Sequence, residues 1–166
     1  VNNPKIYLGN EIYLSENMID LLKVKKAVTL NETKYVLFEL PLNGMPMGLF
    51  DIVYECLQNK LIPILAHPER YMVIQQNPNL LYELIEKGVL LQGNFGSIIG
   101  QYGKKPQILI KKLLESNMIH FLGTDTHRAK TVYTKMPQIL AKLNQIIGEE
   151  KVIELTSINP RLALTN

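Results

Sequence analysis

Five short apolar runs rich in branched and aromatic residues punctuate the chain, at Lys5–Leu8, Tyr35–Leu40, Leu61–Ala66, Val89–Gln92 and Ile119–Leu122. A longer stretch able to hold a helix follows each one, so each run is read as a strand leading into a helix. Their starts step by roughly 26–30 residues, about the length of one strand-plus-helix unit. Helices are predicted from a Ser15-Glu16 cap ahead of Met18, Ile19, Leu21 and Leu22, over Met47–Asn59, from Asn79 to a stop at Lys87-Gly88, over Lys105–Ser116 and over Pro137–Ile147. A short closing helix and tail are expected from Lys151–Leu155 to Leu162.

This alternation predicts an α/β fold, parallel strands alternating with helices, either open and doubly wound or closed as a barrel. In both architectures ligands collect at the carboxyl ends of the strands. The predicted ends there are Gly9-Asn10-Glu11, His67-Pro68-Glu69-Arg70 and Gly123-Thr124-Asp125-Thr126-His127-Arg128, with Glu39 inside the second strand. Asp125 and His127 are two apart, a spacing that on extended chain points both side chains to one side. Carboxylate plus imidazole suits zinc, manganese or iron. Pro68 predicts an extended His67, and Gly9 permits close backbone approach beside Glu11. Glu39 is read as a ligand or, preferentially, as the partner of a neighbouring polar group, because a carboxylate in an apolar strand is rarely left unpaired. His120 opens the last strand, away from the rim, and is read as structural.

Composition narrows the choice of partners. The 166 residues are 46% hydrophobic and 20% charged, as expected of one globular domain. A net charge of +3 and separated lysine pairs (25–26, 104–105, 111–112) speak against a nucleic-acid partner. No apolar run approaches the ~18 residues that cross a bilayer, so no membrane insertion is expected. The one cysteine, Cys56, has no partner for a disulfide and lacks the glycine-rich cradle and arginine of a cysteine phosphatase, so it is read as a core thiol in a cytoplasmic protein. The chain opens on Val1, which is read as a cut or processed piece.

Three blocks, Gly-Asn-Glu-Ile-Tyr (9–13), Ile-Pro-Ile-Leu-Ala-His-Pro-Glu-Arg-Tyr (62–71) and His-Phe-Leu-Gly-Thr-Asp-Thr-His (120–127), resemble the CpsB/YwqE-type bacterial tyrosine phosphatases of the polymerase-and-histidinol-phosphatase (PHP) superfamily. The likeness extends to Tyr-Val-Leu-Phe-Glu-Leu (35–40) and to the loop Gly93–Gly100. It implies the C-terminal part of a distorted TIM-like PHP barrel with a cluster of divalent metal ions, manganese first and iron or zinc as alternatives. Glu11, His67, Asp125 and His127 would be metal ligands and Arg70 a phosphate contact. The family's opening His-x-His motif is absent, since no histidine precedes His67, so the domain is expected to be incomplete at its amino end. Arg128 stands where many relatives carry asparagine, and is read as a second guanidinium for substrate in preference to a cap on the loop.

The function so implied is metal-assisted hydrolysis of phosphotyrosine, with the tail of a bacterial tyrosine autokinase controlling capsular or exopolysaccharide synthesis as the partner. Two other readings stand beside it. One is a small-molecule phosphoesterase resembling histidinol phosphatase. The other is an inactive fragment serving as a binding or assembly module, with weak metal binding, exposed apolar surface and a tendency to form homo-oligomers.

Overall fold

The computed structural model describes residues 5–128 and 132–165. Five parallel strands, β1 (Glu11–Tyr13), β2 (Tyr35–Glu39), β3 (Ile62–Ala66), β4 (Leu90–Asn94) and β5 (Phe121–Gly123), lie side by side in chain order. Helices connect them: α1 (Met18–Lys23), α2 (Leu49–Gln58), α3 (Met72–Gln76), α4 (Asn79–Glu86), α5 (Phe95–Ile98) and α6 (Lys104–Glu115). After β5 come α7 (Met136–Ile147), α8 (Glu149–Ile153), a π-helical turn over Glu154–Ile158 and α9 (Asn159–Thr165). The strand order never reverses, so the sheet is singly wound, as in barrels, and the doubly wound alternative falls away. No helix among the described residues is long and apolar enough to cross a membrane.

The period-two pattern of the strands sorts the two faces of the sheet. Ile12, Val36, Phe38, Leu65 and Leu91 pack under the helices with Ile52, Val53, Leu81, Leu84 and Ile110 in one continuous core. Cys56 sits in that core, and burial pushes its thiol up to about 11, so it stays protonated and unreactive. The opposite face holds Glu11, Tyr13, Tyr35, Leu37 and Glu39, all at least partly exposed. Its lower half is closed by a small cluster of Ile64, Phe121 and Ala163. The C-terminal helix α9 reaches that cluster across the amino ends of the strands. Asn31 Nδ2 donates to Leu164 O and Thr33 Oγ1 to Ala163 O just before β2, while Asn159 Nδ2 donates to His120 O just before β5. One end of the inner face is thereby sealed, and the carboxyl end stays open.

Several boundaries differ from those expected. Lys5–Leu8 is no strand: its residues are exposed, and Leu8 O accepts Asn31 N–H from the 3₁₀ turn Leu30–Glu32 rather than from a neighbouring strand. Pairing with β2 begins at Glu11, so Glu11 opens β1 instead of following it. Gly9 lets the chain pass close to Leu30, since a Cβ there would lie 2.7 Å from Leu30 Cδ2 and 3.3 Å from its Cα. Ser15 does not cap α1; its hydroxyl donates to Asn17 Oδ1, and the helix starts at Met18.

Candidate metal centre and phosphate site

His67 lies immediately after β3, with its backbone in the left-handed region at φ 35°, ψ 54°. The extended conformation expected from Pro68 is not adopted, because a following proline disfavours the right-handed helical region without forbidding this one. The turn drops the chain into a 3₁₀ segment over Pro68–Arg70 and leaves the imidazole buried, facing back over the sheet. His67 Nε2 lies 3.0 Å from Glu11 Oε1 and 3.6 Å from Glu39 Oε2. The three donor atoms fall within 4.8 Å of one another, one from each of three adjacent strand units. Tyr71 braces this group: its ring packs 5.2 Å from that of His67, and its buried hydroxyl accepts Leu40 N–H at 3.0 Å.

Glu39 is therefore brought to the same point as the expected ligands Glu11 and His67. Its signal was present in the strand pattern, where Tyr35, Leu37 and Glu39 share the face opposite Val36 and Phe38.

Asp125 and His127 are arranged differently from the extended pair expected. Asp125 has φ 47°, and this left-handed residue breaks the two-residue alternation. The Asp125 carboxylate is 7% exposed and turned inward, whereas the His127 side chain is 82% exposed. The two remain close, with His127 Nδ1 3.4 Å from Asp125 Oδ1 and 3.1 Å from the Asp125 carbonyl oxygen. Asp125 Oδ2 accepts Arg70 Nη1 at 2.8 Å and Asn94 Nδ2 at 3.0 Å. The Arg70 guanidinium in turn lies over the Tyr102 ring, 4.4 Å from its centroid. Burial, and next the charge of Asp125, push the Tyr102 hydroxyl upward, so the ring stays neutral beneath the cation. Arg128 is exposed, and residues 129–131 lie outside the described ones.

Under this layer lies Glu69, fully buried. Its Oε1 accepts Ser97 Oγ at 2.6 Å and Asn94 N–H at 3.0 Å, so one carboxylate fixes the end of β4 and the start of α5. Burial pushes its carboxyl upward, opposed chiefly by the Ser97 hydroxyl. From sequence Glu69 is a charge beside Arg70 at the rim, whereas the structure buries it beneath, and Asn94, Ser97 and Tyr102 carry no role there, because each acts through a contact between distant segments.

Buried side-chain polar atoms without a partner among the described residues are His67 Nδ1, Glu69 Oε2, Asn94 Oδ1 and Thr126 Oγ1. All of them lie at or just beyond the carboxyl ends of β3, β4 and β5. Unsatisfied buried polar atoms are rare in folded proteins, and their concentration here marks a site built for a polar ligand. Two carboxylates and one imidazole converging within reach of a single ion are a donor set suited to a divalent cation.

The chain is 36% identical over 158 residues to the tyrosine-protein phosphatase YwqE of Bacillus subtilis, covering 95% of the chain and 62% of that protein. It is 35% identical over 164 residues to CapC of Staphylococcus aureus, covering 97% and 63%. The chain thus spans less than two thirds of the length of these two relatives. Crystal structures described as those of YwqE from Bacillus subtilis and CpsB from Streptococcus pneumoniae, metal-dependent tyrosine phosphatases, include a chain that superposes with a TM-score of 0.88 at 35% identity, covering 95% of this chain and 64% of that one. The family model for capsular polysaccharide synthesis, CpsB/CapC, matches residues 2–165, and the chain belongs to that family.

Proposed function

We propose that the protein is a metal-dependent phosphotyrosine-protein phosphatase, and that Glu11, Glu39 and His67 hold a divalent cation with Asp125 and His127 as further ligands. The convergence of Glu11, Glu39 and His67 beside the Arg70–Asp125 pair carries this reading. Manganese is the cation proposed, with iron and zinc as alternatives that the same donors accept. When bound, such a cation supplies Lewis-acid polarisation of phosphoryl oxygens and lowers the pKa of water at the site.

The chain's own residues bind and orient the substrate. Arg70 presents a planar, permanently charged fork to phosphate oxygens, and the Tyr102 ring beneath it fixes the plane of that fork. Asp125 holds the guanidinium at the rim when no phosphate is there. Arg128 adds a second cation. The partner in this reading is a tyrosine-phosphorylated protein, the tail of a bacterial tyrosine autokinase of capsule or exopolysaccharide synthesis, met in the cytoplasm.

Phosphate release from a phosphotyrosine peptide, compared with histidinol phosphate and a nucleotide monophosphate, tests the proposal. Expected are preference for the peptide, loss of turnover with a chelator and its return with Mn²⁺. Preference for either small ester, or turnover indifferent to the chelator, would contradict it.

A further inference from the structure

Arg70 belongs at once to the strand-end cluster and to the wall of a neighbouring cavity of about 500 Å³. The other walls come from the loop after β2, the start of α3 and the start of α6. Lys104 and Lys105 line it together with Arg70, and no carboxylate does. Leu42, Met72 and Pro106 supply apolar surface. Both lysines are exposed, and neither forms an ion pair among the described residues. On the same helix Lys111 is paired with Glu115, whereas Lys104 and Lys105 face a cavity whose lining holds no carboxylate.

We propose that this cavity is a substrate subsite that receives acidic side chains flanking the target phosphotyrosine, making the protein selective for acidic phosphopeptides. The inference rests on the phosphatase reading above. Sharing Arg70 sets the cavity directly beside the proposed phosphate position, where the neighbouring residues of a bound peptide must pass. The uncompensated lysines attract carboxylates, and the apolar walls accept the methylene stems and backbone of an extended segment. The volume lies within the ~300–1,000 Å³ of ordinary ligand pockets.

Binding is read by fluorescence anisotropy on the Mn²⁺-loaded protein. The probes are peptides carrying a non-hydrolysable phosphonate in place of phosphotyrosine, with glutamate, glutamine or lysine flanks. The glutamate-flanked probe should bind about five- to tenfold tighter than the glutamine-flanked one at low salt, with the difference shrinking as salt rises. The double charge reversal Lys104→Glu with Lys105→Glu should invert the order, so that the lysine-flanked probe binds best. Lys111→Glu, on the same helix but outside the cavity, should keep the original order. Equal affinities for the glutamate and glutamine probes, or an order unmoved by the double reversal, would overturn the subsite. Selective binding without phosphate release from the matching phosphotyrosine peptide would support the subsite and remove the phosphatase reading. Turnover without selectivity would do the reverse.

Discussion

Arg70 and Asp125 meet across the open end of the sheet, Nη1 to Oδ2 at 2.8 Å, although β4 stands between the strands that carry them. Asn94, at the end of that intervening strand, bonds the same carboxylate oxygen. The carboxylate thus positions the guanidinium, and a phosphate that displaces it would find Arg70 already placed. Arg70→Ala should lower kcat/KM on a phosphotyrosine peptide by about 10²–10³. Arg70→Lys should recover only part of this, because a point charge replaces a planar fork. Steady-state kinetics on the two variants decide it, and a fully active lysine variant would refute the proposed role.

Glu69 is expected to matter for stability through its shape more than through its charge. Glu69→Ala leaves Asn94 N–H and Ser97 Oγ without their acceptor, at about 1–3 kcal/mol for each buried group. Glu69→Gln keeps a carbonyl oxygen for both bonds and removes the burden of a buried carboxylate. Urea unfolding should therefore show the alanine variant clearly weakened and the glutamine variant near the parent. Equal losses in the two would contradict this account.

His120 makes stability depend on pH. Its backbone N–H donates to Leu91 O and its ring Nδ1 accepts Leu91 N–H, so the side chain stands in for a sheet acceptor between β4 and β5. Burial first, and the nearby Lys151 second, lower its pKa from 6.5. The unfolded chain therefore takes up this proton at a pH where the folded chain resists it, and stability falls as pH drops below about 6.5. Replacing His120 with glutamine should flatten that part of a melting-temperature profile between neutral and mildly acid pH. A profile unchanged by the substitution would show that other groups set it.

What could be read from the residues alone depended on how local the cause was. Tyr35–Leu40 and Leu61–Ala66 declared themselves as strands because each is a run of apolar, branched or aromatic residues, and β2 and β3 occupy nearly those spans. The first strand did not, since Glu11–Tyr13 is short and polar at its start while the apolar run before it stays exposed. His67 and Asp125 were visible as chemistry, but their left-handed backbones were not, because each turn is set by the loop it enters. Glu69 and Asn94 gain their roles only when β3 and β4 lie side by side, and no local spacing carries that information.

Isothermal titration of Mn²⁺ into the metal-stripped protein tests the metal centre most directly. The parent should bind with saturable heat, and Glu39→Gln and His67→Ala should each weaken the affinity by at least about 10-fold, an effect already common for groups that merely support a metal ligand. Binding of equal strength in the parent and both variants, or no saturable heat in any of them, would contradict a site built from Glu11, Glu39 and His67.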